Sequence, residues 1–339
     1  MSERIVLAAD AGGTKTNLAL LPVRGGGAVG PPLAVAGHRS ADFPSLEAMI
    51  DAFLASNRKR LEGPIAAATV GFAGAVSGGR GEGTNVPWSV EAASLARHLG
   101  LSRVGLVNDL VATGYGVAAL GAADLAPLLP GRADPDGNAA VLAAGTGLGE
   151  VLLARVGGDL VPVASEGGHA DWGPRSDVDL EVWTAMRTRH GRVSVERVLS
   201  GPGLANVAEV VHARSGAAAP WDDHRREAAG GDDDLPSVVS RNGLSGSCPA
   251  CAEALGAFVA IFGAEAGNVA LRGLATAGVY LGGGIAPRLL EALRSEAFER
   301  AFRDMPPHVP LLATIPVWVI LDDRTALWGA ARHAARSLP

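Results

Sequence analysis

The chain has 339 residues, enough for two domains at the usual ~150 residues each. It is 48% hydrophobic and 19% charged, which excludes a disordered chain, and 29 Lys plus Arg against 35 Asp plus Glu leave no basic excess for nucleic acid or an anionic membrane. Two cysteines in a chain this long exclude a disulfide scaffold and fit a reducing compartment.

Short apolar runs alternate with stretches of helical periodicity. Strands are predicted at 4–10, 16–23, 67–74, 104–108, 139–144, 150–156, 278–281 and 317–321. Helices are predicted at 45–60, 89–99, 177–190, 250–271, 287–303 and 325–336, the first behind Ser45 as its cap. Strands interleaved with helices mean an α/β protein. The segments 127–138 and 215–236 read as loops, the second as a solvated surface insertion because of its run Asp232, Asp233, Asp234. The apolar run 5–9 is too short for a signal peptide. The most apolar stretch, 252–284, is broken by Glu253, Glu265, Asn268 and Arg272, so no membrane span is expected and a cytoplasmic location is.

Two segments are alike. Val6-Leu-Ala-Ala-Asp-Ala-Gly-Gly-Thr and Val141-Leu-Ala-Ala-Gly-Thr-Gly-Leu-Gly each run from an apolar strand through a Gly/Thr turn into a second strand. Alone, either is an ordinary hairpin. As a pair they suggest a duplicated domain with two anion-gripping turns, since glycine lets backbone N–H groups approach an anion and threonine adds a hydroxyl. Asp10 ends a buried strand, where a carboxylate needs a partner, and hydrated Mg²⁺ suits it. Lys15 can reach a phosphate.

Asn108 and Asp109 end another apolar strand, at the edge where open α/β sheets bind ligands. Asp109 fits either a general base toward an alcohol or the cap of the helix that follows. Glu166 and His169 flank a glycine pair and suit sugar hydroxyls. Glu196 precedes a Gly-Pro-Gly break and reads as a ligand or a surface ion-pair partner. Leu281-Gly-Gly-Gly lacks the GxGxxG spacing, which argues against a Rossmann dehydrogenase. Cys248-Pro-Ala-Cys251 has thioredoxin-like spacing but precedes a long helix, so two partly buried thiols at a helix start are expected there.

Taken together and in order, Asp10-Ala-Gly-Gly-Thr, Leu106-Val-Asn-Asp-Leu, Gly145-Thr-Gly-Leu-Gly, Glu166-Gly-Gly-His, Glu196-Arg-Val-Leu-Ser-Gly-Pro-Gly and Leu281-Gly-Gly-Gly-Ile-Ala-Pro-Arg resemble the signatures of the bacterial ATP-dependent glucokinases, within the actin-like sugar kinases. The resemblance implies a hexokinase-type fold: two α/β domains around a central cleft, with 1–109 and 323–339 in the small domain and 110–322 in the large one. It implies ATP and Mg²⁺, phosphorylation of glucose at its 6-hydroxyl, and a homodimer. By motif, Asp109 is the general base, and Asn85, Asn108, Glu166, His169 and Glu196 bind the sugar. Asp10 holds Mg²⁺ through water. Gly12, Gly13, Thr14, Lys15, Gly145, Thr146 and Gly147 bind the phosphates, and Gly283 and Gly284 border the adenosine. The cysteine-rich zinc motif of the related repressor-and-kinase family is absent, so zinc is not expected. Other readings are a kinase for another hexose or an N-acetylated amino sugar, and a sugar-sensing regulator without catalysis.

Overall fold

Alternate residues of the first strand, β1 (Arg4–Ala11), enter different cores: Ile5, Leu7 and Ala9 on one face, Val6 and Ala8 on the other. A strand covered on both faces must be apolar where it is covered, and this one is from Ile5 to Ala9. The structure, a computed structural model, describes residues 4–24, 28–61, 63–83, 86–216, 218–231 and 233–338. It divides into two units. One runs to Asp124 and takes in Leu160–Ala164 and the segment from Asp322; the other comprises Leu125–Asp159 and Ser165–Leu321.

In the first unit, β2 (Lys15–Arg24) returns antiparallel to β1, and β3 (Ala28–Val29) and β4 (Ala34–Arg39) pair with β2. Helix α1 (Leu46–Asn57) starts where Ser45 Oγ accepts the Ala48 N–H, and it buries Leu46, Met49, Ile50 and Phe53. Strand β5 (Ile65–Phe72) lies parallel to β1. A small antiparallel sheet, β6 (Ala75–Ser77), β7 (Arg80–Glu82) and β8 (Val90–Glu91), precedes α2 (Ala92–Leu99). Strand β9 (Val104–Asn108), parallel to β5, feeds α3 (Asp109–Val117).

The C-terminal helix, Thr325–Arg336, covers the second face of β1 with Leu327, Ala330, Ala331 and Ala334 and crosses α3. The crossing brings backbone to backbone. A Cβ on Gly329 would lie 1.7 Å from Ala112 O, and one on Gly116 would lie 2.1 Å from Thr325 O. This contact makes α3 part of the first unit, so the unit's limit falls at Asp124, beyond the expected 109.

The second unit contains β10 (Leu125–Leu129), β11 (Ala139–Ala144), β12 (Leu148–Val156) and the start of β13 (Asp159–Ala164). Helices α4 (Asp177–His190), α5 (Gly201–Arg214), α6 (Ala218–Gly230), α7 (Leu235–Leu244) and α8 (Pro249–Gly273) follow. Then come β14 (Gly278–Gly282), α9 (Ile285–Arg288), α10 (Leu290–Leu293), α11 (Glu296–Arg303), α12 (Val309–Leu312) and β15 (Val317–Ile320). Strand β11 is antiparallel to β12 and parallel to β14, which is parallel to β15. The same pattern links β1, β2, β5 and β9, so the two Gly/Thr turns occupy equivalent hairpins. Helix α8 is the one described helix long and apolar enough to cross a membrane, and it is mostly buried inside this unit.

Three expectations change. The insertion 215–236 is not a loop: it holds α6 and the start of α7, whose cap is Asp234 with Oδ1 accepting the Ser237 N–H. The helix expected at 287–303 is broken into α9, α10 and α11, and the loop expected from 127 begins inside β10.

Gly329→Ala forces a methyl group into the α3 backbone, and the expected loss is roughly 1–3 kcal/mol. Gly256→Ala, on α8 with open space around it, should instead stabilise by roughly 0.5–1 kcal/mol. Thermal melts of both variants against the parent check the pair; a Gly329→Ala protein as stable as the parent contradicts the close crossing.

Candidate active site

Strand β1 delivers Asp10 to the edge of its core, opposite Asn17 in register, and Asn17 Nδ2 donates to Asp10 Oδ2 at 3.3 Å. The turn Gly12, Gly13, Thr14 follows. The Gly12 N–H donates to Lys15 O at 3.1 Å. Buried Ser40 braces the turn: its Oγ donates to Gly12 O at 2.6 Å and its N–H to Thr14 O at 3.1 Å. Lys15 is exposed at the start of β2, its aliphatic chain over Gly37.

Asp109 is the first residue of α3. The cap position belongs to Asn108, whose Oδ1 accepts the Leu110 N–H at 2.9 Å and whose Nδ2 donates to Gly74 O at 3.1 Å. Asp109 therefore stands one residue inside the helix, with Oδ1 2.9 Å from the same Leu110 N–H. Its charge reaches Asp10. Burial pushes the Asp10 carboxyl up to about 6; the Asn17 hydrogen bond opposes this, Asp109 and Asp323 add to it, and Lys15 offsets part. Asn85 lies outside the described residues.

In the second unit, the turn Gly145, Thr146, Gly147 joins β11 to β12. The Gly145 N–H donates to Gly147 O, and the Gly201 N–H at the start of α5 donates to Gly145 O, both at 2.8 Å. Gly283 has φ +77°, and a Cβ there would lie 2.2 Å from Ala144 O, so the triple-glycine turn packs against the end of β11. A cavity of about 550 Å³ opens beside these turns. Gly145, Thr146, Gly201, Gly284, Ile285 and Arg288 line it, together with Asp234, Ser237 and Ser240 near α7. The N-terminus of α5 at its wall favours an anion there.

Glu166, His169 and Glu196 converge in the same unit. His169 Nε2 is 4.0 Å from Glu166 Oε2, and His169 Nδ1 is 3.8 Å from Glu196 Oε1. Glu196 Oε2 accepts the Leu148 N–H at 2.9 Å and leaves no room for a Cβ on Gly147. Glu196 is thus a ligand of the second turn's backbone, and His169 and Glu166 remain largely exposed.

Beneath them sits a group the sequence did not reveal. Glu150 and Glu265 are both buried, and Arg272 Nη1 reaches Glu150 Oε2 at 3.2 Å and Glu265 Oε1 at 2.7 Å. Burial, then Glu265, push the Glu150 carboxyl up to about 8, and Arg272 opposes them. A Cβ on Gly167 would strike Glu150 Oε2, so this acid underlies the Glu166–His169 loop. The signal available was a glutamate inside a buried strand and another inside an apolar helix.

Residues 7–337 match the family model described as Glucokinase. A glucokinase of Synechocystis sp. is 36% identical over 348 residues, covering 98% of each chain. Among solved structures, a glucokinase from an Antarctic psychrotroph aligns with TM-score 0.84 at 27% identity, over 98% of this chain and 99% of that one. A ROK family glucokinase from Streptomyces griseus, solved in complex with glucose and AMPPNP, shares the fold with TM-score 0.60 at 21% identity, over 99% and 100% of the two chains.

The Asp10 carboxyl carries a pH signature. Its folded value of about 6 lies above the ordinary 3.8, so the fold holds the proton more tightly than the unfolded chain does. Stability from this residue is complete below about pH 4 and is lost as pH rises through about 6. In ligand-free protein near neutral pH, Asp10→Asn should therefore stabilise by roughly 1–3 kcal/mol. The gain should close as pH falls toward 4. Melts across that range check it, and an Asn variant less stable than the parent at neutral pH contradicts it.

Proposed function

The chain belongs to the glucokinase family, ATP-dependent hexose kinases of the actin-like, hexokinase-type fold, and from that premise we propose how its residues divide the reaction. The enzyme moves the γ-phosphoryl group of ATP to the 6-hydroxyl of glucose, giving glucose 6-phosphate and ADP. Asp109 is the general base. The observation that carries this is its placement: a carboxylate in the first turn of α3, close enough to Asp10 beside the first glycine turn to raise that group's pKa.

The remaining roles are those the resemblance implies. His169, Glu166 and Glu196 bind sugar hydroxyls, with the amide of Asn108 and with Asn85 as the resemblance implies. The backbone N–H groups of the turns at Gly12–Thr14 and Gly145–Gly147 take phosphate oxygens, with Lys15 as a point charge. The cavity beside Gly283 and Gly284 takes the adenosine; the ATP analogue held by the S. griseus relative supports a nucleotide in this fold. Asp109 accepts the hydroxyl proton as the oxygen attacks, worth roughly 10²–10⁴-fold in rate.

Mg²⁺ fits the first unit. Asp10, Asp109 and Asp323 concentrate negative charge where Asp10 is already reluctant to ionise, and a hydrated divalent cation removes that penalty. Asp10 would hold it through water, and the ion supplies charge compensation for the triphosphate. The reading also carries a cytoplasmic location and a homodimer, the second of which light scattering of the purified protein tests.

Asp109→Asn should lower kcat by roughly 10²–10⁴-fold while glucose affinity, read by calorimetry, stays within a few-fold. Turnover near that of the parent removes the base assignment. A panel of glucose, mannose and N-acetylglucosamine should rank glucose first in kcat/KM; a higher value for either alternative reassigns the substrate.

A further inference from the structure

We propose that His212, His224, Cys248 and Cys251 form a structural zinc site that fastens the insertion helix α6 to α5 and α8. The four donor atoms lie within 4.8 Å of one another, and all four residues are buried. His212 Nε2 is 3.5 Å from Cys248 Sγ and 3.8 Å from Cys251 Sγ, and His224 Nε2 is 3.3 Å from Cys251 Sγ. With Zn–S near 2.3 Å and Zn–N near 2.0 Å, the edges of a tetrahedral Cys₂His₂ site are roughly 3.3–3.8 Å. The three sulfur–nitrogen separations just given fall in that range, and the remaining pairs lie within 4.8 Å.

The surroundings favour the metal too. The His212 Nδ1–H donates to Ala208 O at 2.8 Å, which leaves Nε2 bare and aimed at the thiols. Metal-bound histidines commonly have this backbone partner on the other nitrogen. The Cys251 N–H donates to Cys248 Sγ at 3.2 Å, a bond that supports a thiolate at the start of α8. Zinc would displace both thiol protons to solvent, and two thiolates with Zn²⁺ make a neutral core that can stay buried.

Helix α6 needs such a fastening. From 221 to 230 it buries only Trp221 and His224, on one face, and Trp221 packs 5.2 Å from the His212 ring. Its ion pairs, including Glu227 with Arg241, are exposed and contribute little. The four ligands are not gathered in one cysteine-rich run: three lie outside the insertion, His212 on α5 and Cys248 and Cys251 at the start of α8, and only His224 comes from α6.

The test uses full-length protein expressed with added zinc and dialysed exhaustively. Mass spectrometry of metals should find one zinc per chain, and Cys251→Ser and His224→Ala should lose it. Should those variants fail to fold, wild-type protein stripped with a chelator and a mercurial, then reduced, is titrated with Co²⁺. Intense visible d–d bands and a near-ultraviolet thiolate charge-transfer band, saturating at one cobalt per chain and bleached by zinc, support the site. Chelation should also open 215–236 to protease. Protein without tightly bound metal and without the cobalt–thiolate band overturns the proposal. So does zinc retained by a Cys248→Ser/Cys251→Ser double variant, or a Cys248–Cys251 disulfide in protein purified under reducing conditions.

Discussion

Negative charge held at the end of a buried strand is the constraint on which the first unit is built. Asp10 is carried by a strand with cores on both faces, and two further acids, Asp109 and Asp323, act on it. Each comes from a different part of the chain: β1, the start of α3, and the turn before the C-terminal helix. The glycine crossing of that helix with α3 holds two of the elements together, because only bare backbone lets the helices approach so closely. Burial first, and the two neighbouring acids after it, raise the Asp10 carboxyl, and the Mg²⁺ proposed there would offset both.

The two Gly/Thr turns are equivalent in topology, yet each is fixed by different chemistry. The first is pinned by a serine, Ser40, which donates its hydroxyl to Gly12 O and its N–H to Thr14 O. The second is pinned by Glu196 and by the start of α5. Glu196 has one carboxylate oxygen on the Leu148 N–H and the other facing His169. A single side chain thereby connects the loop that carries Glu166 and His169 to the turn assigned to phosphate. The sugar contact proposed for His169 would therefore share a side chain with the second turn, an arrangement that suits a kinase that must exclude water from its phosphoryl donor.

What could be read from the sequence was what local chemistry dictates. The apolar runs gave the central strands, the Gly/Thr turns marked both hairpins, and Glu166 with His169 announced themselves across a glycine pair. Asp109 was ambiguous between cap and base, because one residue of offset decides it; the structure gives the cap to Asn108. The insertion was expected as a loop because α6 has almost no apolar periodicity: its surface is charged, and among its described side chains only Trp221 and His224 are buried, too few to mark a face. Ser40, Glu150 and Glu265 were invisible for another reason. Each acts through partners distant in sequence, and nothing in a single chain announces such pairings.

Helix α8 shows how these long-range terms are organised. Its composition would pass for a membrane span, but a helix apolar on all sides is equally what the middle of a large core demands, and this one is packed against α5, α7 and α11. Polar residues on such a helix are costly unless matched. Apart from exposed Glu253, which pairs with Arg214, those it retains form two groups: Cys251 in the first turn meets His212 and His224, and Glu265, Asn268 and Arg272 toward the C-terminal end meet one another and Glu150. The strand holding Glu150 is the one that follows the second Gly/Thr turn. One apolar rod therefore carries the insertion's polar contacts at its start and the floor of the Glu166–His169 loop toward its finish, which is why the core built on it must accommodate two matched polar groups rather than none.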